Sequence, residues 1–292
     1  MQGICKLCNK EGTLKESHFI PKFIGKWIKK TSITGFLREN NDIHKRKQDI
    51  AKEYWLCGEC EGLFSNWERQ FANNIFHPFV DDNKSKASYE NWMPKFCASI
   101  SWRTLTYIRS KNPELKGSDE DYKLLDAAES HLAKYLLGEN KYLEHYKQHV
   151  FPLEEIESTT QAGLPPNINR YFLRVMAMDI INNSENIYIY TKLPRFIILG
   201  VVKSSESQDM RSSQIREKSG KIKPRDYWWP EGFISYIVEK TEEISAKSKA
   251  ITEKDGKKFE EFILKNPDKA ANSKQFEAFI HDYEMFGDDV FR

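Results

Sequence analysis

Two short cysteine pairs carry the clearest chemistry in the chain. Cys5-Lys-Leu-Cys8 opens it, and Cys57-Gly-Glu-Cys60 follows after 48 intervening residues. A C-x2-C turn presents two sulfurs to one ion, and two such turns complete the tetrahedral four-thiolate cage that zinc prefers. Such a cage has no open coordination position, so its metal braces the fold and does no chemistry. A redox role for a C-x2-C pair goes with a βαβ pattern, and none surrounds these cysteines. The fifth cysteine, Cys97, stands alone in the apolar run FCASI and reads as a core thiol. Five is an odd number, and MQGICKLCNK has no basic leader before an apolar stretch, so a disulfide framework is not expected.

Between the pairs lies Ser17-His18-Phe-Ile-Pro21. An imidazole titrates near neutral pH and can serve as a general base. Glu61 directly follows the last cysteine of the second pair. A carboxylate there suits a helix N-terminus through the helix dipole, and it is equally a ligand for a hard cation. Glu68 lies seven positions on, nearly above Glu61 on the same helix flank. It can add a second carboxylate or form a salt bridge.

The elements that must position these groups are legible in outline. EYWLC (53–57) reads as a short strand running into the second pair. Phe64, Trp67, Phe71 and Ile75 then recur at helical spacing, and His77-Pro78 is expected to end that helix. Knuckle, hairpin and a helix N-terminus supplying the last two ligands make a treble-clef arrangement. KFIGKWIKK (22–30) reads as a helix after Pro21, and 31–49, with Gly35 and an Asn40-Asn41 pair, as a loose hairpin.

The whole pattern is C-x2-C, a strand ending in Ser17-His18-x-Ile20-Pro21, an insertion, then Leu56-Cys57-x2-Cys60-Glu61 opening a helix. It resembles the four-cysteine, zinc-braced members of the HNH endonuclease family, which carry a ββα-metal core. The resemblance covers about residues 1–75. It implies a structural Zn²⁺ on Cys5, Cys8, Cys57 and Cys60, and His18 as the base that takes a proton from the attacking water. It also implies a catalytic Mg²⁺ or Mn²⁺ on Glu61, in place of the family's final Asn or His. Gln48 or Asp49 would orient the imidazole, where the family has an asparagine. The family's metal-binding aspartate is Ser17 here, and a hydroxyl is a poor Mg²⁺ ligand.

A nuclease must hold a phosphate backbone. Residues 1–50 carry eleven Lys/Arg against five Asp/Glu, although the net charge of the chain is only +2. Lys22, Lys26, Lys45, Arg46 and Lys47 fall between the two motifs and suit sequence-independent phosphate binding. Trp27 and Trp55 lie among them, either stacking on bases or in the core. A second basic run, Arg211, Arg216, Lys218, Lys221, Lys223 and Arg225, reads either as a solvated mobile loop or as a further contact.

With 292 residues, 39% of them hydrophobic, the chain can bury a sizeable core. The fold class expected is α+β in three segments: a zinc-bound treble-clef module (1–78), a helical region (79–162), and an α+β domain with antiparallel strands (163–292). The middle segment reads as helices over 91–109 and 118–137, with 139–160 helical and then loop. Beyond Gly163-Leu-Pro-Pro166, strands are expected over 171–181, 187–191 and 195–202, and three helices after Trp229. No apolar run approaches a membrane span, mean hydropathy is −0.67, and a cytoplasmic location without membrane contact is expected. There is no phosphate loop, dinucleotide fingerprint or Gly-x-Ser-x-Gly.

The expected function is therefore metal-dependent phosphodiester hydrolysis, on DNA before RNA, of the kind found in bacterial restriction and phage-defence systems. The C-terminal domain would take a protein partner or a second copy of the chain. The alternative is a zinc-built module that has lost catalysis and binds nucleic acid or protein.

Overall fold

The computed structural model describes residues 1–39, 42–112, 117–183, 185–205, 209–249 and 252–291. The expected Asn40-Asn41 turn lies outside these residues. The chain runs through β1 (Gln2–Ile4), β2 (Glu11–His18), α1 (Lys22–Lys30), β3 (Leu37–Glu39), β4 (Asp42–Lys47), β5 (Lys52–Cys57), α2 (Gly58–Phe71) and α3 (His77–Val80). It continues with β6 (Ala87–Tyr89), α4 (Trp92–Lys111), α5 (Asp119–Leu137), β7 (Gln148–Pro152), α6 (Ile168–Arg174), β8 (Ala177–Asn182), β9 (Ile187–Leu193), β10 (Phe196–Lys203) and β11 (Gly220–Ile222). Four helices close it: α7 (Phe233–Lys249), α8 (Glu253–Lys265), α9 (Pro267–Ala271) and α10 (Lys274–Phe286). All described strand pairings are antiparallel, as the α+β class requires.

The chain folds into two compact units that do not follow the segments 1–78, 79–162 and 163–292. The first takes Met1–Pro21, Ala51–Pro152 and Met176–Trp228; the second takes Lys22–Ile50, Leu153–Val175 and Trp229–Arg292. The chain thus leaves the first unit three times and returns twice.

In the first unit, α4 is the central element. It packs on α2, on α5 and on the four-stranded sheet β7-β10-β9-β8. Covered from several sides, it buries most of its length, with Met93, Phe96, Cys97, Ile100 and Leu105 wholly enclosed. IYIYTKL and FIILGVV are buried without alternation, the mark of strands covered on both faces. A Cβ on Gly200 would sit 2.5 Å from Ser101 Oγ, so a glycine is what lets α4 approach β10 this closely. Helix α5 begins with a reciprocal cap: Asp121 N–H donates to Ser118 Oγ at 3.2 Å, and Ser118 N–H to Asp121 Oδ2 at 2.9 Å.

Three local expectations fail, two of them through tertiary contacts. Residues 139–160 are not helical but hold β7, whose five residues are all buried against β10. Residues 171–181 are not one strand. The wholly buried carboxylate of Asp282 accepts from the Asn169 N–H at 2.7 Å and the Arg170 N–H at 3.2 Å, and so nucleates α6 before β8 starts. His77-Pro78 does not end its helix. A π-turn over Ala72–Phe76 leads straight into α3, where Pro78 sits in the first turn and its missing N–H costs nothing.

The second unit holds α1, the β3–β4 hairpin, α6 and the closing helices. Arg174 of α6 caps the C-terminal end of α1. Its Nη2 donates to the Ile28 carbonyl at 3.0 Å, and its guanidinium lies 4.9 Å from the Trp27 ring centroid.

One buried group makes the first unit acid-sensitive. His149 on β7 is fully enclosed; its Nδ1 meets Ser213 Oγ at 3.0 Å, and its Nε2 has no partner among the described residues. Burial holds the ring neutral, lowering its pKa from 6.5 to about 4. Above pH 6.5 neither folded nor unfolded chain carries the proton. As the pH falls from 6.5 towards 4 only the unfolded chain takes it up, so this stability is lost, by about 3 kcal/mol in all. Denaturant unfolding at pH 7 and pH 4.5 should show a smaller acid loss in His149→Gln than in the parent. Equal losses would show that His149 is not the sensitive group.

Candidate functional site

The three-stranded sheet β1-β2-β5 positions the cysteines. Cys5 and Cys8 lie in the turn between β1 and β2. That turn is tight: Cys5 N–H donates to Lys10 O at 3.0 Å, Asn9 N–H to Cys5 O at 2.9 Å, and Asn9 adopts a left-handed φ of 56°. Lys6 N–H donates to Trp55 O at 2.9 Å, fastening the turn to β5. Cys57 ends β5 and Cys60 falls in the first turn of α2.

The four sulfurs lie within 4.8 Å of one another, and Cys8 Sγ is 3.9 Å from Cys57 Sγ. Zinc–sulfur bonds of about 2.3 Å in a tetrahedron place sulfurs about 3.8 Å apart. The donor set and spacing therefore fit one ion, and the four cysteines lie close enough to hold it. Cys5 and Cys60 are buried, while Cys8 and Cys57 are partly exposed. Burial pushes the Cys5 thiol up, but N–H groups of Cys8, Cys57 and Leu7 outweigh it and bring the thiol down to about 7. Burial drives Cys60 the other way, with the neighbouring sulfurs adding to it. One thiolate forms readily and the last requires a cation, so metal uptake releases protons.

A second cluster lies beside the first. His18 ends β2, opposite Lys52 of β5. Ser17 Oγ donates to Glu61 Oε2 at 2.7 Å, joining the strand end to the first turns of α2. Further along α2, Glu68 pairs with the buried Arg103 of α4 at 2.7 Å. The same Arg103 Nη1 donates to the His18 carbonyl at 2.9 Å. Burial raises the Glu68 pKa against the pull of Arg103; Glu61 adds to the rise and His18 opposes it. Glu61 and His18 thus both act on Glu68. Phe19 completes the anchorage, stacked on Tyr107 at 4.0 Å and set edge-on to Trp55 at 4.6 Å.

Of the expected site residues, Cys5, Cys8, Cys57, Cys60, Ser17, His18 and Glu61 all lie in the first unit, and the contacts above bring them into these two clusters. Gln48 and Asp49 fall in the second unit. The Gln48 carbonyl accepts from Lys29 Nζ, and Asp49 Oδ1 accepts from the Ile50 N–H at 3.0 Å. Lys22, Lys26, Lys45, Arg46 and Lys47 also belong to the second unit. Lys22 and Lys26 are exposed on one face of α1, while Lys45 and Arg46 are exposed on β4. The Arg46 guanidinium lies 4.3 Å from the Phe36 ring centroid. Trp27 and Trp55 are both buried.

Arg103 escaped the sequence reading. It is the one charge between Phe96 and Ile108, and a lone charge in such a run signals a buried partner.

No family model, curated protein or solved structure matches this chain. No helix among the described residues is long and apolar enough to cross a membrane.

Proposed function

We propose that the chain is a metal-dependent endonuclease of the HNH type, its four cysteines binding a structural zinc in a treble-clef module. The observation that carries this reading is the Ser17–Glu61 hydrogen bond at 2.7 Å. It brings together the residue before His18 and the residue after the last cysteine, the two positions the resemblance assigns to the catalytic cation. Glu61 offers a carboxylate oxygen to a hard cation, and Ser17 orients it. When bound there, the cation would neutralise charge developing on the phosphate. His18 takes the proton from the attacking water. Arg103 holds the His18 backbone and pairs with Glu68 behind the site. The exposed basic residues of α1 and β4, in the second unit, suit phosphate contacts of their own. DNA is the expected substrate before RNA, and bacterial defence the expected setting.

One observation favours the second reading, a zinc-built binding module without catalysis. His18 is only 8% exposed and Ser17 only 3%, whereas a general base must reach water. Incubating the full chain with plasmid DNA, single-stranded DNA and RNA, in Mg²⁺, Mn²⁺ or EDTA, separates the two. The nuclease reading expects cutting in the divalent metals and none in EDTA. Binding without cutting under every condition would favour the second reading.

A further inference from the structure

The basic run at 211–225 is not absorbed by the metal-centred reading, and part of it is built into a sheet. β11 pairs with β6, with Gly220 opposite Tyr89, Lys221 opposite Ser88 and Ile222 opposite Ala87. Residues directly opposite share a face. Tyr89 and Ile222 are buried and mark the inner face. Ser88 and Lys221 are exposed and mark the outer one. Carried one pair further, the register sets Lys86 opposite Lys223, and both are exposed.

The ribbon is fixed from within. A Cβ on Gly220 would lie 2.2 Å from the Tyr89 hydroxyl, so only glycine lets that ring lie across the partner strand. The hydroxyl accepts from the Arg216 N–H at 3.0 Å. Arg216 and Arg225 both act electrostatically on Tyr89 and so flank the same ribbon. Beyond β11, the Tyr227 hydroxyl donates to the Lys223 carbonyl at 2.6 Å, which ties down the segment leaving the strand.

Like charges set opposite one another on a sheet cost stability unless a counter-charge covers them. Lys86, Lys221 and Lys223 form no ion pair with an acid among the described residues. Glu90 stands at the far end of that face and Asp226 beyond Lys223, both exposed. Glu217 is engaged elsewhere, by the Tyr135 hydroxyl and the Leu143 N–H.

We propose that the outer face of the β6–β11 ribbon binds the phosphate backbone of nucleic acid. Lysines two residues apart on a strand stand about 6.8 Å apart. Their flexible ammonium groups reach phosphate oxygens without reading bases, so the contact is independent of sequence. Trp228, three residues past Arg225 and 37% exposed, adds an aromatic face for an unpaired base. This surface goes beyond the nuclease reading and does not depend on it, since a chain that cuts nothing can still bind here.

The test uses the full, zinc-loaded chain carrying His18→Ala, so that cleavage cannot interfere. Binding to labelled duplex DNA, single-stranded DNA and RNA is followed by anisotropy over a range of salt concentrations. Lys86→Gln, Lys221→Gln and Lys223→Gln are combined in one variant, and the same three positions are changed to Arg in another. The glutamine variant should bind more than tenfold more weakly at low salt. Its slope of log K against log salt should fall by about 2–3, at about 0.9 per phosphate contact. The arginine variant should keep the slope, and all should melt alike. The proposal is overturned by an unaltered slope in a folded glutamine variant. It is equally overturned by a parent that binds none of the three nucleic acids, or that binds anionic lipid vesicles instead. Failure of the nuclease reading would look different: no metal-dependent cutting by the parent sequence, with this slope effect intact.

Discussion

Exchanging Cys60 for serine should release the metal and unfold the β1-β2-β5 sheet with the start of α2. Cys60 is 3% exposed and sits where strand turns into helix, so its sulfur closes the cage from inside. A serine hydroxyl does not replace a thiolate for zinc. Structural zinc sites contribute about 10–16 kcal/mol in small peptides, as much as the whole stability of a typical domain. The first strand has little else to rest on, because β1 is three residues long and exposes Ile4. The outcome should be a metal content near zero by elemental analysis. Hydrogen-exchange protection should vanish over residues 1–20 and 52–62 while the β7–β10 sheet keeps much of its own. Cys97→Ala, which alters a buried thiol outside the cluster, should retain the metal. A Cys60→Ser protein with full metal content and unaltered melting would remove the metal as a brace.

The cysteine cluster was more legible than the fold around it, for a physical reason. Metal ligands must come in fixed types at short spacings, so the two C-x2-C turns identify themselves. The strand-to-helix junction at Cys57 and the stripe of Phe64, Trp67 and Phe71 were equally local signals. What the sequence did not reveal depends on distant chain. Arg103 meets His18 and Glu68 across 85 and 35 residues. Residues 171–174 form a helix because Asp282, more than a hundred positions on, caps its start. β7 is a strand because β10 lies beside it. The two-unit partition was hidden for the same reason, since the chain crosses between units without a glycine- or proline-rich linker at residues 21–22 or 50–51. The basic run at 211–225 shows both limits. Its charge was plain, but only the pairing of β6 with β11 sets Lys221 beside Ser88 on an outer face.

His18→Ala should slow cleavage severely while leaving the metal centre and fold in place. Arg103 holds His18 by its backbone carbonyl, a contact that survives removal of the imidazole. The Ser17–Glu61 hydrogen bond also lies outside the altered side chain. The loss should therefore be one of rate, on the order of 10²–10⁴-fold, which is what a positioned general base contributes. A loss of stability of a few kcal/mol would instead mark the ring as a packing residue, as its low exposure also allows.

The most direct measurement is the rate of metal-dependent cleavage by the parent chain and by His18→Ala, on the best of the three nucleic acids, at equal metal content and equal melting temperature. The account predicts cutting by the parent that stops in EDTA and falls at least a hundredfold in the variant. A variant that cuts as fast as its parent would contradict the assignment of His18. A parent that binds nucleic acid but never cuts it would contradict the nuclease itself and leave a metal-braced binding module.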